Sequence, residues 1–268
     1  TLIFGVLEIL NMAHGEVFMA GAFIGLLVAS SLHLPFAVAL LAAMIGSALI
    51  GALIELLALR PLRRHAKQSH LAPLMSTIGV SIFVSNLALN LFGASQHTLG
   101  YSGERYAFAG LSITSTEILI LGVSVLLMLA LLLFMRRTRM GLAMRVVSEN
   151  ASVGGLLGIS SSAVILATMA LASALGGAAG LLVGREFEAI YPTMGVTYGL
   201  KGLACLVVGG LGNVPGAMAA GLLLGVTEAL AVGYGAPAYR DAVAFGVLIV
   251  ALILRPEGLF SRPAEGRV

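Results

Sequence analysis

Residues 117–135 read EILILGVSVLLMLALLLFM, and Arg136, Arg137 and Arg139 follow at once. At 1.5 Å per residue a helix over this stretch is about 28 Å long, close to the thickness of a hydrocarbon core. A helix that is apolar on every side belongs in a large protein core or in lipid. The composition of the chain chooses lipid. Of 268 residues, 59% are hydrophobic and 10% charged, with a mean hydropathy of +1.04. A soluble domain of this length must show much of its sequence to water and cannot hide so much apolar surface. The 34 glycines suit membrane helices whose backbones approach closely.

Working outward from 117–135, further apolar segments occur at about 15–31, 35–59, 71–92, 161–184, 196–211, 215–233 and 242–255. The stretches 196–211 and 242–255 are short, which points to tilted, broken or re-entrant segments. Thr1 to Leu10 is also apolar. Ten residues reach only about 15 Å as helix, so most of a first helix is expected to be missing. The sequence therefore predicts an all-α polytopic fold of about eight to nine transmembrane helices, organised as one transmembrane domain over residues 1–268.

The basic residues give the orientation. Alternating the spans puts Arg60, Arg63, Arg64, Lys67, Arg136, Arg137, Arg139, Arg145, Arg255, Arg262 and Arg267 on one side, and Arg105, Arg185 and Arg240 on the other. Eleven against three makes the first side cytoplasmic. Because these charges sit at membrane edges and not along one face, no nucleic-acid partner is expected despite the net charge of +3. Lipid is the expected partner. The outer loop 93–116 reads either as an ordered surface that a soluble partner touches or as an idle connection.

A charge inside the bilayer costs about 2.5–3.5 kcal/mol on insertion scales and requires a reason. Glu55, late in its span, is expected to pair near Arg60. Glu228, in the middle of 215–233, faces the protein interior, either as helix glue or on a transport path. Lys201 sits near the outer interface. Asn11-Met12-Ala13-His14-Gly15-Glu16 interrupts two apolar stretches. Backbone broken in this way must be buried in protein or line a water-filled cavity, and broken helices accompany transporter substrate sites. His14 taken alone suits a satisfied buried histidine. A second break runs from Gly209 through Gly210 and Asn213 to Gly216. Both breaks lie toward the cytoplasm and precede outward spans, which suggests a parallel internal repeat. The candidate path residues are Asn11, His14, Gly15, Glu16, Gly210, Asn213 and Glu228.

The cytoplasmic loop 136–160 is longer than a turnaround requires. Leu142, Val146, Val153 and Leu157 recur at helical spacing, with Arg145, Glu149 and Asn150 on other faces. This predicts a short amphipathic helix, which either lies on lipid or docks on a soluble motor subunit. Gly154, Gly155 and Gly158 favour a bend after it. The chain carries no Gly-x-x-x-x-Gly-Lys-Ser/Thr phosphate loop, so an ATPase would be a separate polypeptide. Cys205, the single cysteine, reads as a small packed residue. No nucleophile–base pair or metal cluster stands out, and no cofactor or enzymatic activity is expected.

Three stretches carry a resemblance. They are Leu10-Asn11-Met12-Ala13-His14-Gly15-Glu16 with Met19-Ala20-Gly21-Ala22; Met194 to Gly202 with Val208 to Ala217; and Tyr239-Arg240-Asp241 with Arg255-Pro256-Glu257-Gly258-Leu259-Phe260. They resemble the permeases of branched-chain amino-acid ATP-binding-cassette transporters, the H-type subunit more than its M-type partner. The resemblance implies a bacterial inner-membrane importer with a second, M-type permease, two cytoplasmic ATP-binding subunits and a periplasmic substrate-binding protein. It implies that the loop at Thr138–Ile159 contacts an ATPase, with Arg139, Gly141, Arg145, Glu149 and Gly158 as candidate coupling residues. Alternating access between two sides of the membrane would carry leucine, isoleucine or valine inward. Relatives of the family import urea and short amides, so those cargoes stay open. A proton-coupled carrier using His14 and Glu228 is the reading from another class.

Overall fold

A computed structural model describes residues 1–7, 11–65, 71–100, 105–108, 111–235, 237–255 and 258. Lys67, Arg262 and Arg267 therefore lie outside the described residues, as do Glu257, Leu259 and Phe260. The chain begins with α1 (Leu2–Leu7), followed by α2 (His14–Ser31) and α3 (Phe36–Ile54). A π-helical turn, Glu55–Leu59, carries α3 into α4 (Arg60–His65), and α5 (Leu71–Phe92) returns across the bundle. After the outer loop come α6 (Ser115–Arg137), α7 (Arg139–Glu149), α8 (Ala151–Leu156) and α9 (Ser161–Glu186). The remainder is α10 (Met194–Gly209), α11 (Val214–Gly233) and α12 (Arg240–Leu254).

Among the described residues, six helices are long and apolar enough to cross a membrane: α2, the continuous α3–α4 segment Phe36–Arg63, α5, α6, α9 and α11. The polytopic helical reading holds, with one addition. The outer loop contains a two-stranded antiparallel hairpin, β1 (Arg105–Phe108) and β2 (Leu111–Thr114), with Arg105 opposite Thr114.

The core is α2, α3 and α9, whose glycines and small side chains allow close packing. A Cβ on Gly177 would stand 2.7 Å from the Ala43 carbonyl oxygen, so this crossing requires a bare backbone. Met19, Phe23, Leu26, Leu181, Ile190 and Met194 fill the outer half of the core. Leu2, Ile3, Ile54, Leu59 and Met169 fill the other half. The periphery is different. Only 6% of the most apolar window of α6 is buried, so lipid or protein must cover the rest.

The arginine clusters sit at helix ends. Arg60 and Arg63 follow α3, Arg136 and Arg137 end α6, and Arg139 and Arg145 lie on α7. Glu55 is 1% exposed, and its Oε2 accepts a bond of 3.1 Å from Arg63 Nη1. An ion pair was expected there, but Arg63 and not Arg60 supplies it. The π-helical turn supplies the reason, because it shifts the helical register between Glu55 and Arg63.

Candidate functional site

Asn11 begins the site by capping a turn. Its Oδ1 accepts from the Ala13 N–H at 3.1 Å, and its carbonyl accepts from the His14 N–H at 3.3 Å. The Met12 N–H is taken by Thr77 Oγ1 of α5 at 3.3 Å. With these groups satisfied, α2 can start deep inside the protein. A Cβ on Gly176 would meet His14 Cε1 at 3.2 Å, and Gly176 lies just past the midpoint of α9. The first break is therefore at mid-depth and not at the cytoplasmic edge.

A second helix starts at the same place. After α9 the chain turns back through Ile190, which exchanges two 2.9 Å backbone bonds with His97 of the outer loop. Tyr191, Pro192 and Thr193 repeat the turn of Asn11–Ala13, and the Met194 N–H donates to the Tyr191 carbonyl at 3.1 Å. The two starts then meet. A Cβ on Gly195 would stand 2.8 Å from the Gly15 carbonyl oxygen, and one on Gly15 would strike the Gly195 carbonyl in return. Phe18 stacks on Tyr198 with ring centroids 5.2 Å apart. The contacts are reciprocal between residues 180 apart in number, Gly15 with Gly195 and Phe18 with Tyr198. From this crossing α2 leaves toward Phe36. α10 leaves the other way, toward Gly210, where a Cβ on Gly258 would meet the Gly210 Cα at 2.7 Å.

The expectation of a parallel repeat is thus corrected. The counterpart of Asn11–Glu16 is Tyr191–Val196, related by inversion. The Gly209–Gly216 break is a tight turn between α10 and α11, with Gly210 and Gly212 at φ of 91° and 80°. Asn213 caps α11 there, its Oδ1 accepting from the Gly216 N–H at 3.1 Å.

The crossing opens into a cavity of about 520 Å³, lined on its polar side by Asn11, His14, Gly15, Glu16, Ser81 and Tyr198. Ile78, Ile82, Leu203 and Leu206 form much of its apolar wall. Glu16 is 1% exposed; its Oε1 accepts from Ser81 Oγ at 3.1 Å. His14 Nδ1 and Glu16 Oε2 are buried without a hydrogen-bond partner among the described residues. Four of the seven expected path residues, Asn11, His14, Gly15 and Glu16, share this cavity. Gly210, Asn213 and Glu228 are not part of its lining. Sequence reasoning missed Ser81, Gly195, Tyr198 and Gly199. The available signal was Tyr191-Pro192-Thr193 ahead of two glycines four residues apart.

Glu228 lies in a separate cluster. Its carboxylate meets Lys201 Nζ at 2.9 Å and Arg240 Nε at 2.7 Å, while Lys201 also reaches Asp241 at 2.8 Å. These bonds join α10, α11 and α12, so of its two roles Glu228 takes that of helix glue. Lys201 is buried in the same cluster rather than placed at the interface.

The loop 136–160 folds as two helices, α7 and α8. Thr138 caps α7, its Oγ1 accepting from the Gly141 N–H at 3.0 Å and donating to the Phe134 carbonyl at 2.8 Å. A Cβ on Gly141 would stand 2.6 Å from the Phe134 carbonyl oxygen, so α7 is seated directly against the end of α6. The buried face is Gly141, Met144 and Val147, packed on Val164 of α9 and Val6 of α1. Of the expected apolar positions, Leu142, Val153 and Leu157 are exposed on this chain, and Leu156 is 88% exposed. Gly154 and Gly155 lie within α8, not in a bend after it; the bend falls at Asn150, whose Oδ1 accepts from the Ser152 and Val153 N–H groups. Gly158, at φ 78°, closes the unit. Arg139, Arg145, Glu149 and Gly158 are exposed, whereas Gly141 is buried and can act only through α6.

The family described as the permease component of branched-chain amino acid transport systems matches residues 1–252. The high-affinity branched-chain amino acid transport permease BraD of Pseudomonas aeruginosa is 35% identical over 282 residues, covering all of this chain and 91% of the relative. LivH of Escherichia coli K12, named for the same transport, is 35% identical over 286 residues with the same coverage. A probable LivH of Methanocaldococcus jannaschii is 26% identical over 277 residues, covering 97% of this chain and 85% of the relative. No solved structure matches the chain. The polytopic helical bundle, the breaks quoted from the sequence and a match over nearly the whole chain agree, and the protein belongs to the family of branched-chain amino acid transport permease components.

Proposed function

We propose that this chain is one permease subunit of an ATP-binding-cassette importer that moves leucine, isoleucine and valine across the bacterial inner membrane. The observation that carries the reading is the mid-depth cavity where the starts of α2 and α10 meet. It pairs a small polar end with an aliphatic wall, at a volume within the range of small-molecule sites. The names of the relatives supply the cargo. With α10 and α12 counted as crossings beside the six long helices, the described residues make eight spans.

A second, M-type permease completes the channel, two cytoplasmic ATP-binding subunits supply energy, and a periplasmic binding protein delivers substrate. The ATPase docks on the exposed face of α7 and α8, around Arg139, Arg145, Glu149, Leu156 and Gly158. Gly141 transmits that motion to α6 through its direct seat. ATP binding and hydrolysis then switch the side to which the cavity opens. A proton relay through His14 and Glu228 is disfavoured by their placement, since Glu228 is held in its ion cluster and does not line the cavity.

The test is labelled leucine uptake into proteoliposomes containing the permease, with partners added or withheld one at a time. Uptake that requires ATP and every partner is the expected result. Uptake by the permease alone under a pH gradient would replace the reading with a carrier. ATP-driven uptake of urea without leucine would keep the machine and change its cargo.

A further inference from the structure

Glu16 is an unusual residue to find half-way through a bilayer. It is 1% exposed, and one oxygen is used by Ser81. The other, Oε2, has no hydrogen-bond partner and the carboxylate has no ion pair among the described residues. Oε2 lies where a side chain on Gly195 would otherwise be, since a Cβ there would stand 2.6 Å from it. The chain thus leaves an unpartnered acidic oxygen on a residue that lines the cavity, with Gly195 leaving the room this oxygen occupies. Glu55 and Glu228, the other buried carboxylates among the described residues, are both ion-paired.

Part of the carboxylate's charge is met by helix geometry. Glu16 is in the first turn of α2 and against the first turn of α10, and each helix start carries roughly half a positive elementary charge. One full negative charge beside two half-positive ends leaves the unpartnered oxygen as the free acceptor of the site, which a cationic donor matches better than an uncharged amide. The apolar wall from Ile78 to Leu206 then takes an aliphatic side chain.

We infer that Glu16 is the counter-ion for the ammonium group of the transported substrate. The inference rests on the proposed transport path. Glu16 also has a structural role open to it, compensating the two helix starts, and the test separates the two. The glutamine variant preserves the shape of the side chain and an acceptor for Ser81 while removing the charge.

The experiment uses the complete permease–ATPase complex in nanodiscs without its binding protein. Equilibrium binding of labelled leucine is measured for wild type, Glu16→Gln and Glu16→Asp, with unlabelled leucine or 4-methylpentanoate (which lacks the ammonium) as competitor. Wild type is expected to bind leucine and disregard 4-methylpentanoate. Glu16→Gln should weaken leucine binding by about ten- to hundredfold, the loss typical of a charged hydrogen bond, and Glu16→Asp should restore part of it. The thermal midpoint of Glu16→Gln should stay near that of wild type. Leucine binding unchanged in Glu16→Gln overturns the inference alone. Leucine binding lost together with thermal stability, and not recovered in Glu16→Asp, overturns it in favour of the structural role. Failure of wild type to bind leucine overturns the amino-acid reading and this inference with it.

Discussion

At the scale of single residues, the ion cluster around Glu228 is the clearest energetic commitment in the chain. Glu228 is 5% exposed and holds two cations, so neutralising it leaves Lys201, itself 9% exposed, with Asp241 as its remaining partner, a side chain 58% exposed. Removing one member of a buried pair costs about 3–5 kcal/mol, because the remaining charge stays desolvated. Glu228→Ala should therefore lower the thermal midpoint of the purified protein markedly, and Asp241→Ala, at a side chain 58% exposed, should have much less effect. Fluorescence-monitored melting of both variants checks this ordering. Buried charges were legible in the sequence as charges needing partners. Which partner each takes was not legible for Glu55, because it depends on a π-helical turn that has no sequence signature of its own.

At the scale of elements, the break at Asn11–Glu16 could be read from polar residues placed between apolar runs. Its depth could not be, since that depends on where His14 falls along α9. The second start, at Met194, lacked the same polar marking and surfaced only as a family motif. The helix in the cytoplasmic loop was legible, and periodicity marked its exposed apolar residues Leu142 and Val153. The buried seat against α6 left no such mark, because it demands the smallest residue, Gly141. Gly141→Val should therefore leave the isolated ATPases intact yet separate them from transport. ATP hydrolysis by the assembled complex should persist while leucine uptake falls at least about tenfold, because the inserted side chain must push α7 off the Phe134 carbonyl. Hydrolysis and uptake measured on the same proteoliposomes give the answer directly.

At the scale of the whole molecule, the positive clusters and the alternating spans predict the sidedness. The structure keeps α7 and α8 at one end and the β1–β2 hairpin in the connection leading to α6 from the other. In a chain whose Cys205 has been replaced by Ala, a cysteine at Tyr106 should react with a membrane-impermeant maleimide in intact spheroplasts. A cysteine at Leu156 should react only after lysis. The opposite labelling pattern would invert the topology. The weakly buried α6 has a consequence for how such a machine moves. It is the long helix with the smallest buried share, and it is joined without any cushioning side chain to the helix at the arginine-rich end. A push on α7 would meet little resistance along α6 and much more from the glycine-packed trio of α2, α3 and α9. In the proposed importer the stroke would be spent as a swing of an outlying lever around a stationary hub, and the hub is where the cavity begins.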